Sequence, residues 1–223
     1  MSSRMHSRLE ILREAAVDIR YLLERGYRKE SVLRFVGDKY QLDKDERLIL
    51  YRSIHSRSEV ECIRKKMLEP SRIANEEAWV DGFNVLNTVE AALKMDLLVI
   101  CDDGVVRDFS QVYGKYRLSP LTSYSLKLVL EELKILNASY VRVLYDSQIS
   151  RSGEAAEMTR EIIFSLGLRG DAETVKTVDS LLSKTDAIVC TSDSIILSAC
   201  KRFFDLAGYI ITNKLKNVKL CAL

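Results

Sequence analysis

A chain of 223 residues with 47% hydrophobic and 30% charged residues, two prolines and nine glycines has the balance of a folded globular protein. That balance excludes a disordered or fibrous chain. No apolar run approaches the length of a membrane span. The net charge of +2 is unevenly spread: residues 1–72 carry 17 Lys/Arg against 12 Asp/Glu, and the remainder 17 against 20.

Residues 8–25 place Leu9, Ile11, Leu12, Ala15, Ala16, Ile19, Leu22 and Leu23 on one stripe, which predicts an amphipathic helix stopped at Gly26. A second helix is predicted from Lys29 to Tyr40, and a third from Asp43 to Ser56 with Asp43 as its cap. A charged helix follows over residues 57–69 and ends at Pro70. Residues 1–76 therefore read as a basic helical module. Its basic face suits either a nucleic-acid contact or plain solvation.

From residue 77 the pattern changes to alternating strands and helices, which defines an α/β domain over 77–223 with a mostly parallel sheet flanked by helices. AWVDGF reads as a buried strand and NVLNTVEAALKM as a helix. LLVICDDGVVRDF reads as a hairpin turning at Asp103-Gly104. The long helix SPLTSYSLKLVLEELKILN precedes a core strand, VRVLYD. SGEAAEMTREIIFSLGL is predicted as a helix capped by Ser152. ETVKTVDS and AIVCTSD are predicted as strands, SIILSACKRFFDLAG as a helix stopped by Gly208, and YIITN as a last strand.

Four of these strands end in aspartate, at Asp81, Asp146, Asp179 and Asp193. Parallel strands deliver their carboxyl ends to one edge of a sheet, where ligands bind. Carboxylates crowded there need a compensating cation. Oxygen-only ligands suit Mg²⁺ or Mn²⁺ rather than zinc. The competing reading treats each aspartate as a helix cap or turn residue.

Both histidines, His6 and His55, lie in the helical front segment, so no Ser-His-Asp or Cys-His arrangement is available in the α/β part. No P-loop or dinucleotide fingerprint occurs either. The five scattered cysteines form no C-x-x-C pair, and with no secretory leader they suggest a reducing cytoplasm.

V-D-G-F-N-V-L (Val80 to Leu86), the strand ending at Asp146 and T-S-D-S (Thr191 to Ser194) resemble the PIN-like and NYN ribonuclease superfamily over roughly residues 77–215. Segments such as DGFNVLNTVEAAL, DDGVVRDFSQVYGKYR, DSQISRSG and TSDSIIL, together with the helical front, resemble the domain of unknown function 434 family over nearly the whole chain. The first resemblance implies a metal-dependent nuclease acting on single-stranded nucleic acid, with RNA favoured over DNA. It makes Asp81, Asp146 and Asp193 metal ligands and Asn84 an orienting group, with Thr191 or Ser192 positioning Asp193. Asp179 is the fourth candidate, and Glu90 and Asp108 compete for that role.

Ser150, Arg151 and Ser152 are a candidate phosphate seat at a helix start, against the alternative of a plain Ser152 cap. Ser194 and Arg117 join the candidate substrate contacts, Arg117 with Tyr113, Lys115 and Tyr116 in a run that suits base stacking or simple packing. A homodimer is compatible with the pattern. A haloacid-dehalogenase-like phosphatase would need an aspartate where Phe83 stands. A non-catalytic nucleic-acid- or protein-binding module remains the alternative to the enzyme.

Overall fold

The computed structural model describes residues 3–109 and 118–223. Tyr113, Lys115, Tyr116 and Arg117 lie outside the described residues.

The front of the chain folds as α1 (Ser3–Glu24), α2 (Lys29–Lys39), α3 (Lys44–Ser53) and α4 (Arg57–Arg64). Leu12, Ala15, Ala16, Ile19 and Leu23 of α1 pack on Val32, Leu33 and Val36 of α2 and Leu50 of α3, so the apolar stripe is the buried face. The helix starts are set locally. The Asp43 carboxylate accepts from the Asp45 and Glu46 N–H groups while Glu46 returns to the Asp43 N–H, and Ser56 and Glu59 repeat that reciprocal cap for α4. The charged helix expected over 57–69 ends early, at Arg64, because Met67 pairs in a bridge with Phe203 and is drawn into the α/β part.

The remainder runs β1 (Glu77–Asp81), α5 (Gly82–Leu93), β2 (Leu98–Ile100), β3 (Val106–Asp108), α6 (Pro120–Ile135), β4 (Tyr140–Asp146), α7 (Ser152–Ser165), β5 (Gly170–Val175), α8 (Val178–Lys184), β6 (Ile188–Cys190), α9 (Ser194–Ala199), α10 (Leu206–Asn213) and β7 (Leu220–Ala222). Strands β5, β4, β1 and β6 form one sheet in that order, and all pairings are parallel. In the central strand Val80 faces Val143 on one side and Cys190 on the other, so β4, β1 and β6 end along the same edge. The main core lies where Val80, Val143 and Ile188 meet Val89 of α5, Leu130 of α6, Ile163 of α7 and Ile210 of α10. Ile63 of α4 joins Leu182 of α8 and Ile196 of α9 in a second cluster on the other side. The chain is thus mixed α/β, with a helical front and a largely parallel sheet between helices.

The predicted hairpin is present: β2 and β3 are antiparallel, turning through Gly104 at φ +88°, and β7 adds parallel to β2 in a second, smaller sheet. Its tip is held by the helical front. Arg20 donates to both oxygens of Asp102 at 3.0 and 2.7 Å, and the Asp102 N–H reaches the Ser53 carbonyl at 2.9 Å.

Three expectations are corrected. YIITN is helical, inside α10, and not a strand. Asp205 caps that helix by accepting from Gly208, while Leu206, Ala207 and Ile210 fill the main core and Ile211 a separate cluster beside the second sheet. Burial on two sides outweighs the β-propensity of the isoleucines. Gly208 accordingly lies within α10 rather than stopping a helix, and the helix begun at Ser194 ends at Ala199.

Second, β5 ends at Val175, whose partner is Asp146, the last residue of β4. Asp179 therefore sits in the first turn of α8, not at a strand end. Third, the residue capping α7 is Arg151, in the left-handed region at φ +64°, and Ser152 is the first helical residue.

Candidate functional site

The carboxyl ends of β1 and β6 are joined by side-chain hydrogen bonds. Asp81 ends β1 and caps α5, its Oδ1 accepting from the Asn84 N–H at 3.4 Å. Its other oxygen accepts from the Thr191 hydroxyl at 2.9 Å. Asn84, one turn into α5, accepts at Oδ1 from both the N–H (2.7 Å) and the hydroxyl (2.9 Å) of Ser192. Asp193 caps α9 by accepting from Ile195 (2.8 Å) and Ile196 (3.3 Å), and its own N–H reaches Thr191 Oγ1 at 3.1 Å. Thr191 and Ser192 are buried, whereas Asp81 and Asp193 keep partial solvent access.

Asp81 and Asp193 are therefore both helix caps, as the capping reading has it. A cap fixes the carboxylate at the start of a helix, and these two helices begin at adjacent strand ends.

Electrostatics extends the group to four. Burial pushes the Asp81 carboxyl up to about 7; the hydrogen bonds from Thr191 and Asn84 oppose that, and the nearby Asp193 and Asp179 charges add to it. Asp179 is also raised, by burial first and then by Asp193 and Asp146. Asp146, at the end of β4, accepts from the Gln148 N–H at 2.8 Å in the turn that follows. Asp193 thus acts on both Asp81 and Asp179, and Asp146 on Asp179. Among the described residues, no group of three or more His, Cys, Asp or Glu side chains is placed to hold a metal ion.

A buried ion pair supports the loop that carries Thr191 to Asp193. Arg107 of β3 is fully buried, donates through Nη1 and Nη2 to the two oxygens of Asp103 at 2.9 and 2.6 Å, and turns Nε–H onto the Ser192 carbonyl at 2.7 Å. Three donors in a rigid fork suit this double task. Asp103 lies 3.7 Å from His55 Nε2, and His55 Nδ1 lies 3.3 Å from Lys29 Nζ. Arg107, Asp103, His55 and Lys29 did not stand out in the sequence as site residues. Their one local signal is a charged residue inside the apolar run V-V-R-D-F.

Arg151 is exposed and forms an ion pair with Glu154 at 2.9 and 2.6 Å, while Ser150 is exposed and Ser152 buried. Glu90 is buried and accepts from Thr122 (2.8 Å) and Lys94 (2.9 Å). Asp108 accepts from Thr88 at 3.1 Å. Ser194 opens α9 beside Asp193 and faces the cleft that contains Lys29.

Mixed α/β architecture, a parallel sheet and an aspartate-rich carboxyl edge define the class of this chain. It belongs to the family described as Domain of unknown function (DUF5616), whose model matches residues 70–209; residues 11–66 match Protein of unknown function (DUF434). The expected resemblance to the latter family thus holds for the helical front, and the sheet belongs to the former. These matches show no PIN-like or NYN family.

The chain is 37% identical over 188 residues to "Uncharacterized protein MJ0935" of Methanocaldococcus jannaschii, a span of 84% of this chain and 89% of that protein. No solved structure matches. No helix among the described residues is long and apolar enough to cross a membrane.

Proposed function

We propose that this chain is a metal-dependent nuclease of the PIN-like kind that hydrolyses phosphodiester bonds in single-stranded RNA. The observation that supports it is that Asp81 and Asp179 are raised, by burial first and then by the neighbouring Asp193 and, for Asp179, Asp146, at one edge of the parallel sheet. Carboxylates raised by their neighbours are stabilised by a hard cation, and their donors are oxygen only.

Among the described residues no three such side chains are placed to hold one ion, so Asp81 and Asp193 would be its only carboxylate ligands. That suits Mg²⁺, which keeps several waters and takes one or two carboxylates together with substrate phosphate oxygens. When bound, such a cation supplies Lewis acidity to the phosphoryl group and a water activated for in-line attack.

The chain's own residues supply the positioning. Thr191 fixes one oxygen of Asp81, and the backbone N–H groups of α9 fix Asp193. Asn84 locks the 191–193 loop against α5, so the separation of the two carboxylates is set by side-chain hydrogen bonds. In this reading Asp81 and Asp193 are the principal ligands, with Asp146 and Asp179 completing the negative field. The burial of Cys101, Cys190 and Cys200 as free thiols accords with a reducing, cytoplasmic setting.

The lack of such a group of three among the described residues favours a second reading, a non-catalytic nucleic-acid-binding module on the same architecture. End-labelled single-stranded RNA and DNA incubated with Mg²⁺, Mn²⁺ or EDTA separate the two. The nuclease reading expects metal-dependent cleavage of RNA that falls by about 100-fold or more in Asp81→Asn and Asp193→Asn, with folding checked by circular dichroism. Cleavage at wild-type rate in both variants overturns it, and binding without cleavage under any metal supports the module.

A further inference from the structure

A cleft of about 340 Å³ opens where the helical front meets α9, lined by Lys29, Tyr51, His55, Glu59, Ser194 and Ile195 among others. Its volume is within the range of small-molecule sites. Ser194 follows Asp193 directly, so one wall of the cleft continues the acidic edge.

Lys29 is the distinctive group. It is half-buried, and its ammonium stands 5.0 Å from the centre of the Tyr51 ring and 3.3 Å from His55 Nδ1. His55 Nε2 lies 3.2 Å from the Arg52 carbonyl, which can only accept, so Nε2 carries the proton and Nδ1 receives from Lys29. Burial lowers both the Lys29 and the His55 pKa, in keeping with a neutral imidazole there. Among the described residues, no carboxylate stands within ion-pair distance of Lys29. Glu59 attracts Lys29 from beyond contact distance, its Oε2 taking the N–H and hydroxyl of Ser56, both at 2.8 Å. A half-buried cation with spare donors and no carboxylate in direct contact, set in a cleft beside an aromatic ring, is open to an anion.

We propose that this cleft seats one nucleotide of the single-stranded substrate, its phosphate on the Lys29 ammonium and its base against Tyr51. The identity of the ligand as a nucleotide rests on the nuclease reading; the anion site itself rests on the cleft. The acids Glu30 and Glu59 at its margin oppose a run of phosphates and favour a single one. The Lys29–His55–Asp103–Arg107–Ser192 chain of contacts holds the seat at a fixed distance from the acidic edge.

The test is fluorescence anisotropy of a labelled 5′-phosphorylated oligouridylate with the full chain, in EDTA throughout so that cleavage plays no part. Lys29→Gln is expected to weaken binding about 10-fold or more and Tyr51→Ala at least about 5-fold, whereas the exposed control Lys176→Gln stays within about 2-fold. Uridine 5′-monophosphate is expected to compete, and inorganic phosphate to compete only weakly. A second readout needs no variant. Cys62 is exposed and lines the cleft, so uridine 5′-monophosphate is expected to slow its alkylation by iodoacetamide at least about 3-fold while leaving Cys221 unaffected.

Wild-type affinity in both Lys29→Gln and Tyr51→Ala, or no protection of Cys62, overturns the cleft assignment. Loss of binding in those variants with no cleavage by wild type under any metal sinks the nuclease reading and leaves the cleft standing.

Discussion

The side chain of Arg107 and the carbonyl of Ser192 are joined by a 2.7 Å hydrogen bond across 85 positions of sequence, and the guanidinium making it is wholly buried. The same guanidinium neutralises Asp103, which is equally buried. Removing it alone leaves that buried carboxylate without its cation, with the Val105 N–H still donating to it at 3.1 Å. Arg107→Met is therefore expected to cost about 3–5 kcal/mol in urea unfolding. The double variant Asp103→Leu/Arg107→Met is expected to recover most of that loss, since it removes both charges. Equal destabilisation in the single and double variants would show that the packing, and not the charge, carries the effect.

Asn84 bears on the same loop from the other side. Asn84→Ala leaves the buried N–H and hydroxyl of Ser192 without their acceptor, and an expected loss of about 1–3 kcal/mol follows. Asn84→Asp keeps an acceptor but adds a charge beside Asp81, so it is expected to raise the Asp81 pKa further. Carboxyl chemical shifts followed by NMR titration check this; an unmoved Asp81 would remove Asn84 from the electrostatics of the site.

Two partly buried acids make stability depend on pH. Asp81 is pushed up to about 7 and Asp205 to about 6, burial being the main cause in each. A folded-state pKa above the unfolded value near 3.8 means that the folded form holds its proton more tightly. The associated stability is present below about pH 4 and is lost as pH rises through 6 for Asp205 and 7 for Asp81. Both side chains keep partial solvent access, so the effect is on the order of 2 kcal/mol or less for each. Differences in melting temperature between wild type and Asp205→Asn across pH 4–7.5 isolate the first; the gap should narrow as pH rises. A gap independent of pH would mean that Asp205 is ionised throughout.

A cation held as the proposed function has it would compete with the proton on Asp81. Under the nuclease reading, adding Mg²⁺ is expected to raise the melting temperature more at pH 7.5 than at pH 5.5, and Asp81→Asn is expected to abolish that difference. Equal stabilisation at both pH values would place any ion elsewhere.

Gly82 follows Asp81, and a Cβ there would lie 2.4 Å from the ring of Tyr145. That ring cannot easily move, since it is buried edge-on to Phe83 at 4.9 Å and its hydroxyl is 2.7 Å from Thr159 Oγ1. Gly82→Ala is expected to lose about 1–3 kcal/mol by overpacking and to displace the start of α5, with Asp81 on it. Thermal unfolding measures the first, and unchanged stability would show that the ring has room to yield.

The sequence by itself determined the features governed by neighbours along the chain. The apolar stripe of α1, the Asp43 cap, the hairpin turning at Asp103-Gly104 and the strands ending at Asp81 and Asp146 follow from side-chain period and turn chemistry within a few residues. The tertiary structure decided what distant segments do to one another. The β-branched run in YIITN became helix because Asp205 caps it and cores on two sides bury it. Asp179 moved from an expected strand end to the first turn of α8 because β5 stops where β4 does. The order β4-β1-β6 brought the Asp81 and Asp193 caps together, and the burial of Arg107 tied the hairpin to the loop between them. Local pattern carries period and capping, whereas strand order and buried charge pairing depend on contacts between residues far apart in the chain, which no short window contains.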